Sequence, residues 1–378
     1  MFNSDFRCVE TKRAAGLVRP FTLMFSSFPQ QVFVYGFSYR KRRLLGKLLS
    51  GIRIRLTLNI DLTPPNAVIV VWGAKEISQN LGQREVIRVE DGFYRSVGLG
   101  SDFVNPSSLV FDRSGIYFDP RTPSDLESIL NSQAFNQDDL ARAKQIRDFI
   151  IQNQLTKYNL EAPKHRHERL YPSKVIFVPG QVEDDASIIY GGGEVRTNLG
   201  LLEAVRLANP NAYLFYKPHP DVQALNRKGR MSKKAVLQYA DAVEYERSVI
   251  DCIDGADEVH TMTSLVGFDA LMRDKKVVTY GQPFYAGWGL TQDVFASGEA
   301  FLRRGRKLSL DELVAGALIH YPIYWDWESE TLTTCEAALI KLAKARNELI
   351  ASGRLASLKE GFIRRQLRKV IMLLKALT

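Results

Sequence analysis

Two blocks of short, almost wholly apolar runs set the strongest limit on what this chain can fold into. In the first block the runs are QVFVYGF (31–37), AVIVVWG (67–73), EVIRVE (85–90) and SLVFD (108–112). In the second they are KVIFVPG (174–180), AYLFYKPH (212–219), AVEYE (242–246), DEVHTM (257–262) and KVVTYG (276–281). Runs of this length suit strands, and the stretches between many of them have helical spacing. Apolar strands alternating with helices predict parallel sheets covered on both faces. The expected fold is therefore α/β, with two Rossmann-like domains and a cleft between them. A polar stretch beginning at Glu161 reads as the linker. The expected domains are 1–160 and 170–325, followed by a helical segment over 326–378.

In open α/β sheets ligands bind outside the carboxyl ends of the strands, and every motif that carries chemistry here falls at such an end. The turn His260-Thr-Met-Thr-Ser264 follows a predicted strand and precedes a helix. Its hydroxyls and the free N–H groups of the helix make an anion site, although an ordinary N-cap would use the same residues. Lys217-Pro-His-Pro-Asp221 closes another strand as a rigid cationic elbow suited to a phosphate, with His219 between two prolines. Glu90-Asp91-Gly92 and Glu183-Asp184-Asp185 place one carboxylate group in each domain. Such a pair suits glycosyl transfer, one member as base or acid and the other as nucleophile or cation stabiliser. Helix capping and surface turns are the competing uses of these acids. Gly191-Gly-Gly193 reads as a mobile turn beside the cleft. No acidic cluster has metal-binding spacing, so no metal is expected.

Charge and compartment narrow the setting. Cys8, Cys252 and Cys335 are scattered and outside any CxxC, which fits a reducing compartment. The first twenty residues carry charges where a secretory signal needs an apolar run, and no apolar stretch approaches the roughly 18 residues of a membrane span. A cytoplasmic protein is expected. The net charge of +9 is concentrated in Arg40-Lys41-Arg42-Arg43 with Lys47, Arg53 and Arg55, and in the segment from Arg354 onward. The latter has seven basic residues, one acid and apolar residues at helical spacing. It reads as a basic amphipathic helix that either docks on the protein body or makes peripheral contact with an anionic inner membrane. The basic clusters lack interleaved aromatics, which argues against nucleic acid.

RVEDGFYRSVGLGSD, VPGQVEDDASI, NPNAYLFYKPHPDV, DEVHTMTSLVGFDAL and YGQPFYAGWGLTQD closely resemble the capsule polysaccharide β-Kdo transferase family typified by KpsC, over roughly residues 31–324. The resemblance implies a GT-B-like architecture with an N-terminal acceptor domain and a C-terminal donor domain. It also implies CMP-Kdo as donor, a glycan or lipid-linked glycan as acceptor, no cofactor, and retention at the anomeric carbon. On it, Asp185 matches the proposed nucleophile. Glu90-Asp91-Gly92 is similar to the base-supplying triplet of bacterial CMP-sialic-acid transferases, and His219-Pro220 to their His-Pro that contacts the donor phosphate. Thr263 and Ser264, with Gln181, Lys217 and His260 alongside, complete the expected donor site. Typical members carry two tandem modules, and one is expected here. The alternatives are an inverting sialic-acid-type transferase and a non-catalytic export or scaffold component. The last predicts degraded carboxylates, whereas Asp185, Asp91 and His219 are all present.

Overall fold

The computed structural model describes residues 28–77, 80–98, 104–161, 174–223 and 227–355. The expected amphipathic segment beyond Leu355, and His165 and His167 of the linker, lie outside the described residues.

The chain builds two sheets. In the first half, β1 (Gln31–Tyr35), β2 (Arg53–Leu56), β3 (Val68–Trp72) and β4 (Glu85–Asp91) pair in parallel in the order β2-β1-β3-β4. The second half forms a parallel sheet from β6 (Val175–Pro179), β7 (Tyr213–Lys217), β8 (Ala242–Val243), β9 (Glu258–Thr261), β10 (Lys276–Thr279) and β11 (Gln292–Asp293), in the order β11-β10-β9-β6-β7-β8. Central β6 is buried along its whole length, and β3 along all but Trp72. That is why both read as unbroken apolar runs rather than alternating ones.

Two expectations need correction. The first sheet is mixed, because β5 (Ser108–Asp112) runs antiparallel to β4. The Gly92 N–H donates to the Ser108 carbonyl and the Ser107 N–H to that of Arg95, so the ladder continues beyond the strand ends. The tail also does not open as helix. β12 (Pro322–Asp326) and β13 (Thr331–Thr333) return to the first sheet, β12 antiparallel to β5, before the helix Cys335–Ala351 begins. The PIYWD run of β12 is buried at four of its five positions, and only a sheet already built 200 residues earlier can satisfy it.

The halves share one apolar core. Phe93 and Tyr94 of the first cluster with Phe268, Phe284 and Tyr285 of the second, and the Phe93 and Phe284 rings lie 4.7 Å apart. Polar clasps surround this contact. Arg121 stacks 3.5 Å over the Tyr190 ring, and Arg303 and buried Arg304 both reach Glu127, at 2.5 and 3.2 Å.

Candidate active site

The strand order of the second sheet reverses between β6 and β9, which opens a crevice at their carboxyl ends. Gly180 follows β6 there because a side chain would lie 2.5 Å from the Tyr216 hydroxyl and 2.9 Å from the His219 nitrogen. Next to it, buried Gln181 organises the turn after β9. Its Oε1 accepts from Thr261 Oγ1 (3.0 Å), Met262 N–H (3.2 Å) and Thr263 N–H (3.1 Å), while Nε2 donates to Thr263 Oγ1 (3.0 Å). Thr263 Oγ1 then donates to Ser187 Oγ (3.2 Å), and Ser187 donates to Asp185 Oδ1 through Oγ (2.8 Å) and N–H (3.0 Å). A continuous chain of hydrogen bonds thus fixes the Asp185 carboxylate from the far side of the crevice. Oδ2 has no protein donor among the described residues.

Asp185 is also the N-cap of the helix Ala186–Gly191, so it serves both of the uses that acidic turn residues allow. Glu183 and Asp184 are spent on structure: Glu183 accepts from the Asn198 N–H and Asp184 pairs with Arg227 at 3.1 Å. Ser264 caps the helix Leu265–Leu271, and its carbonyl accepts from the Tyr285 hydroxyl at 2.5 Å. The side-chain oxygens of the 261–264 turn are therefore engaged within the protein.

Pro220 opens a short helix, and the Nδ1 of His219 accepts from the Asp221 N–H at 3.1 Å. Burial lowers the imidazole pKa, against the pull of Asp221 and Asp185. The ring is consequently neutral near pH 7, with its proton on Nε2 and available for donation. Lys217 sends its ammonium to the Arg247 carbonyl at 2.5 Å, with Glu161 4.0 Å away. His260 is separated from this group. Its ring points along the sheet face to Glu258 (2.9 Å) and Tyr280 (3.4 Å), into a cavity of about 780 Å³, and burial lowers its pKa to about 4. The glycine run 191–193 is pinned rather than loose. Gly192 bridges to Gly281, and the Gly191 carbonyl accepts from the Gln282 N–H at 2.7 Å.

On the first sheet, Glu90 and Asp91 end β4. Arg95 grips Asp91 at 2.5 Å, while Asp91 Oδ1 is buried without a hydrogen-bond partner. Glu90 is pushed up to about 7, chiefly by burial and then by the charge of Asp91, against Lys41 and Lys157. Lys41 stacks 3.8 Å over Trp72 at the end of β3. Lys157 lies within electrostatic reach of both edges. Burial opposes its charge, but Tyr117, Tyr158, Asp91 and Glu90 outweigh burial and raise its pKa, and the same ammonium acts on His219. Lys157 and Ser187 were missed in the sequence. Lys157 sits in LTKYN, which has no motif. Ser187 stands two residues after Asp185, the spacing at which a capping acid meets a backbone N–H. Among the described residues no three His, Cys, Asp or Glu side chains group as metal ligands.

A family model described as capsule polysaccharide biosynthesis protein matches residues 68–324 and so spans the Glu90, Lys157, Asp185, His219 and Thr263 constellation. The chain belongs to the capsule polysaccharide biosynthesis family. Within it, the capsule polysaccharide modification protein LipA of Neisseria meningitidis serogroup B is 46% identical over 286 residues, 75% of this chain. The chain spans only 40% of LipA's length. The lipopolysaccharide-processing protein LpsZ of Rhizobium meliloti is 37% identical, over 89% of this chain and 78% of its own. Among solved structures, the β-Kdo 2,7 transferase of Thermosulfurimonas dismutans KpsC is similar at 35% identity and TM-score 0.68, over 84% of this chain and 99% of that one. The β-Kdo 2,4 transferase of the same protein is similar at 29% identity and TM-score 0.69, over 82% and 97%.

Proposed function

We propose that this chain is a retaining β-Kdo transferase of GT-B-like organisation that uses CMP-Kdo and acts on a glycan or lipid-linked glycan in surface polysaccharide assembly. One observation carries the reading. A carboxylate oriented by a relay of hydroxyls (Asp185, after β6) and an acid pair closing β4 (Glu90 and Asp91) come from different sheets that share one core. The likeness to two Kdo transferase structures supports the choice of sugar.

In the proposed mechanism Asp185 Oδ2 bonds to the anomeric carbon as the bond to the phosphate oxygen breaks, and that electron pair leaves with CMP. His219 Nε2–H donates to the leaving phosphate, and Lys157 offsets its charge. The acceptor hydroxyl then displaces Asp185 from the opposite face and gives its proton to Glu90, so two displacements restore the starting configuration. Asp91 beside it is held by Arg95. Gln181, Thr263 and Ser264 shape the donor turn, Lys217 braces the β7 end, and His260 is left outside the site. With cations and amides facing the phosphate, transfer is expected to persist in EDTA.

The test is incubation with CMP-Kdo and synthetic Kdo-terminated glycolipids, with NMR of the product. A β-linked Kdo supports the reading. An inverted linkage, or turnover of CMP-sialic acid alone, overturns it.

A further inference from the structure

The first sheet displays apolar side chains where a folded surface usually hides them. Leu58 is 87% exposed, Leu62 84%, Tyr39 73% and Leu56 48%. These residues are not frayed. Ile60, between Leu58 and Leu62, is 3% exposed and anchors a single turn, Ile60–Leu62, capped by the Asn59 side chain. Arg84 ties the turn from behind, donating to the Asp61 carbonyl at 3.1 Å and to the Thr63 carbonyl at 2.7 Å. The two leucines are therefore held out into water by a locked loop.

The chain leading up to the turn carries charge of one sign, with exposed Asp61 as the one acid within the turn. From Tyr39 to Ile60 the chain has seven basic residues and no acid, Asp61 being the first. Arg43, Arg53 and Arg55 are exposed, and no acidic side chain pairs with them among the described residues. Topology fixes where this surface lies. β2 runs parallel to β1, β3 and β4, so the loop after Leu56 leaves the sheet at the same edge as Asp91. It stands three strand spacings away, about 14 Å.

We propose that this locked, basic loop edge, Tyr39 and Arg53–Leu62, docks on an anionic lipid bilayer. Leucines on a rigid turn enter the headgroup boundary while arginines meet lipid phosphates. The charge complementarity selects a membrane over a second copy of the chain, which would bring like charges together. Docking here presents the Glu90–Asp91 edge to the membrane surface, where a lipid-linked acceptor would lie; that consequence rests on the function proposed above, whereas the docking itself does not.

The experiment is sedimentation of the full chain, without substrate, with phosphatidylcholine vesicles that either contain or lack phosphatidylglycerol. Two surface double variants are compared, Leu58→Ser with Leu62→Ser and Arg53→Ser with Arg55→Ser, each checked for an unchanged thermal midpoint. Binding is expected only with phosphatidylglycerol, and each double variant should weaken it about tenfold or more. Undiminished binding in both variants overturns the proposal and moves membrane contact elsewhere on the chain. So does charge-independent binding, or a dimer in solution that the leucine variant dissociates. A transferase assay on a soluble acceptor, unchanged in both variants, keeps this outcome separate from failure of the proposed activity.

Discussion

Glu90 shows how one residue's surroundings set its chemistry. In the unfolded chain its carboxyl titrates near 4.5, and in the fold near 7, through burial first and the Asp91 charge second. Between those values the native state holds more protons than the unfolded one, so stability falls as pH rises through this window. Replacing Glu90 by Gln should remove that loss while lowering kcat by about 10²–10⁴. Thermal midpoints at pH 5 and 8, with a kcat profile that loses its rise near pH 7, test both halves. A variant that is inactive but no more stable at pH 8 would contradict the assignment. Asp185 needs a different substitution, because it caps a helix as well as facing the crevice. Asp185→Asn keeps a capping oxygen and should retain stability within about 0.5 kcal/mol, whereas Asp185→Ala should cost about 1 kcal/mol. Both should reduce transfer by several orders of magnitude, read as single-turnover rates.

At the scale of elements, the turn from Thr261 to Ser264 is held from two directions, by Gln181 beneath and by Tyr285 from the following loop. Tyr285 reaches the Ser264 carbonyl only because residue 267 lacks a side chain: a Cβ there would stand 2.2 Å from the hydroxyl. Gly267→Ala is expected to destabilise the protein by about 1–3 kcal/mol and to weaken CMP binding, measured by calorimetry. Adding Tyr285→Phe should recover part of the stability, since the clash involves the hydroxyl, and a double-mutant cycle reads the coupling directly. Independent, additive losses would mean that the two residues do not share this contact.

For the whole molecule, the joint between the halves depends on buried charge as well as aromatic packing. Arg304 is 7% exposed and donates to Glu127 and to the carbonyls of Pro283 and Ala286. Glu127→Ala strands that guanidinium and should cost about 3–5 kcal/mol in denaturant unfolding. Glu127→Gln, which keeps an acceptor, should cost less. Equal losses would show that packing alone holds the joint.

The strands that host the site were readable because a strand buried on both faces leaves an apolar run, as β3, β6 and β7 do, while half-buried β1 and β4 still show β-branched residues at alternate positions. The turn residues at their ends were readable for a related reason: glycine, proline and acids mark where such a run must stop. β2 was not, since RIRL at a solvent-facing edge carries arginines where a core strand would be apolar. β12 escaped because its partner, β5, is 200 residues away. At the candidate site, the sequence alone determined which residue types stand at the strand ends, among them Glu90, Asp185, His219 and Thr263. Tertiary structure decided what each one does there. It gave Lys217 to a backbone carbonyl and turned His260 onto the sheet face, because alternate side chains of a strand point to opposite sides. It also brought Lys157, from an unmarked loop, within electrostatic reach of Glu90 and His219. Direction, burial and long-range charge arise only when distant segments pack, and no local pattern records them.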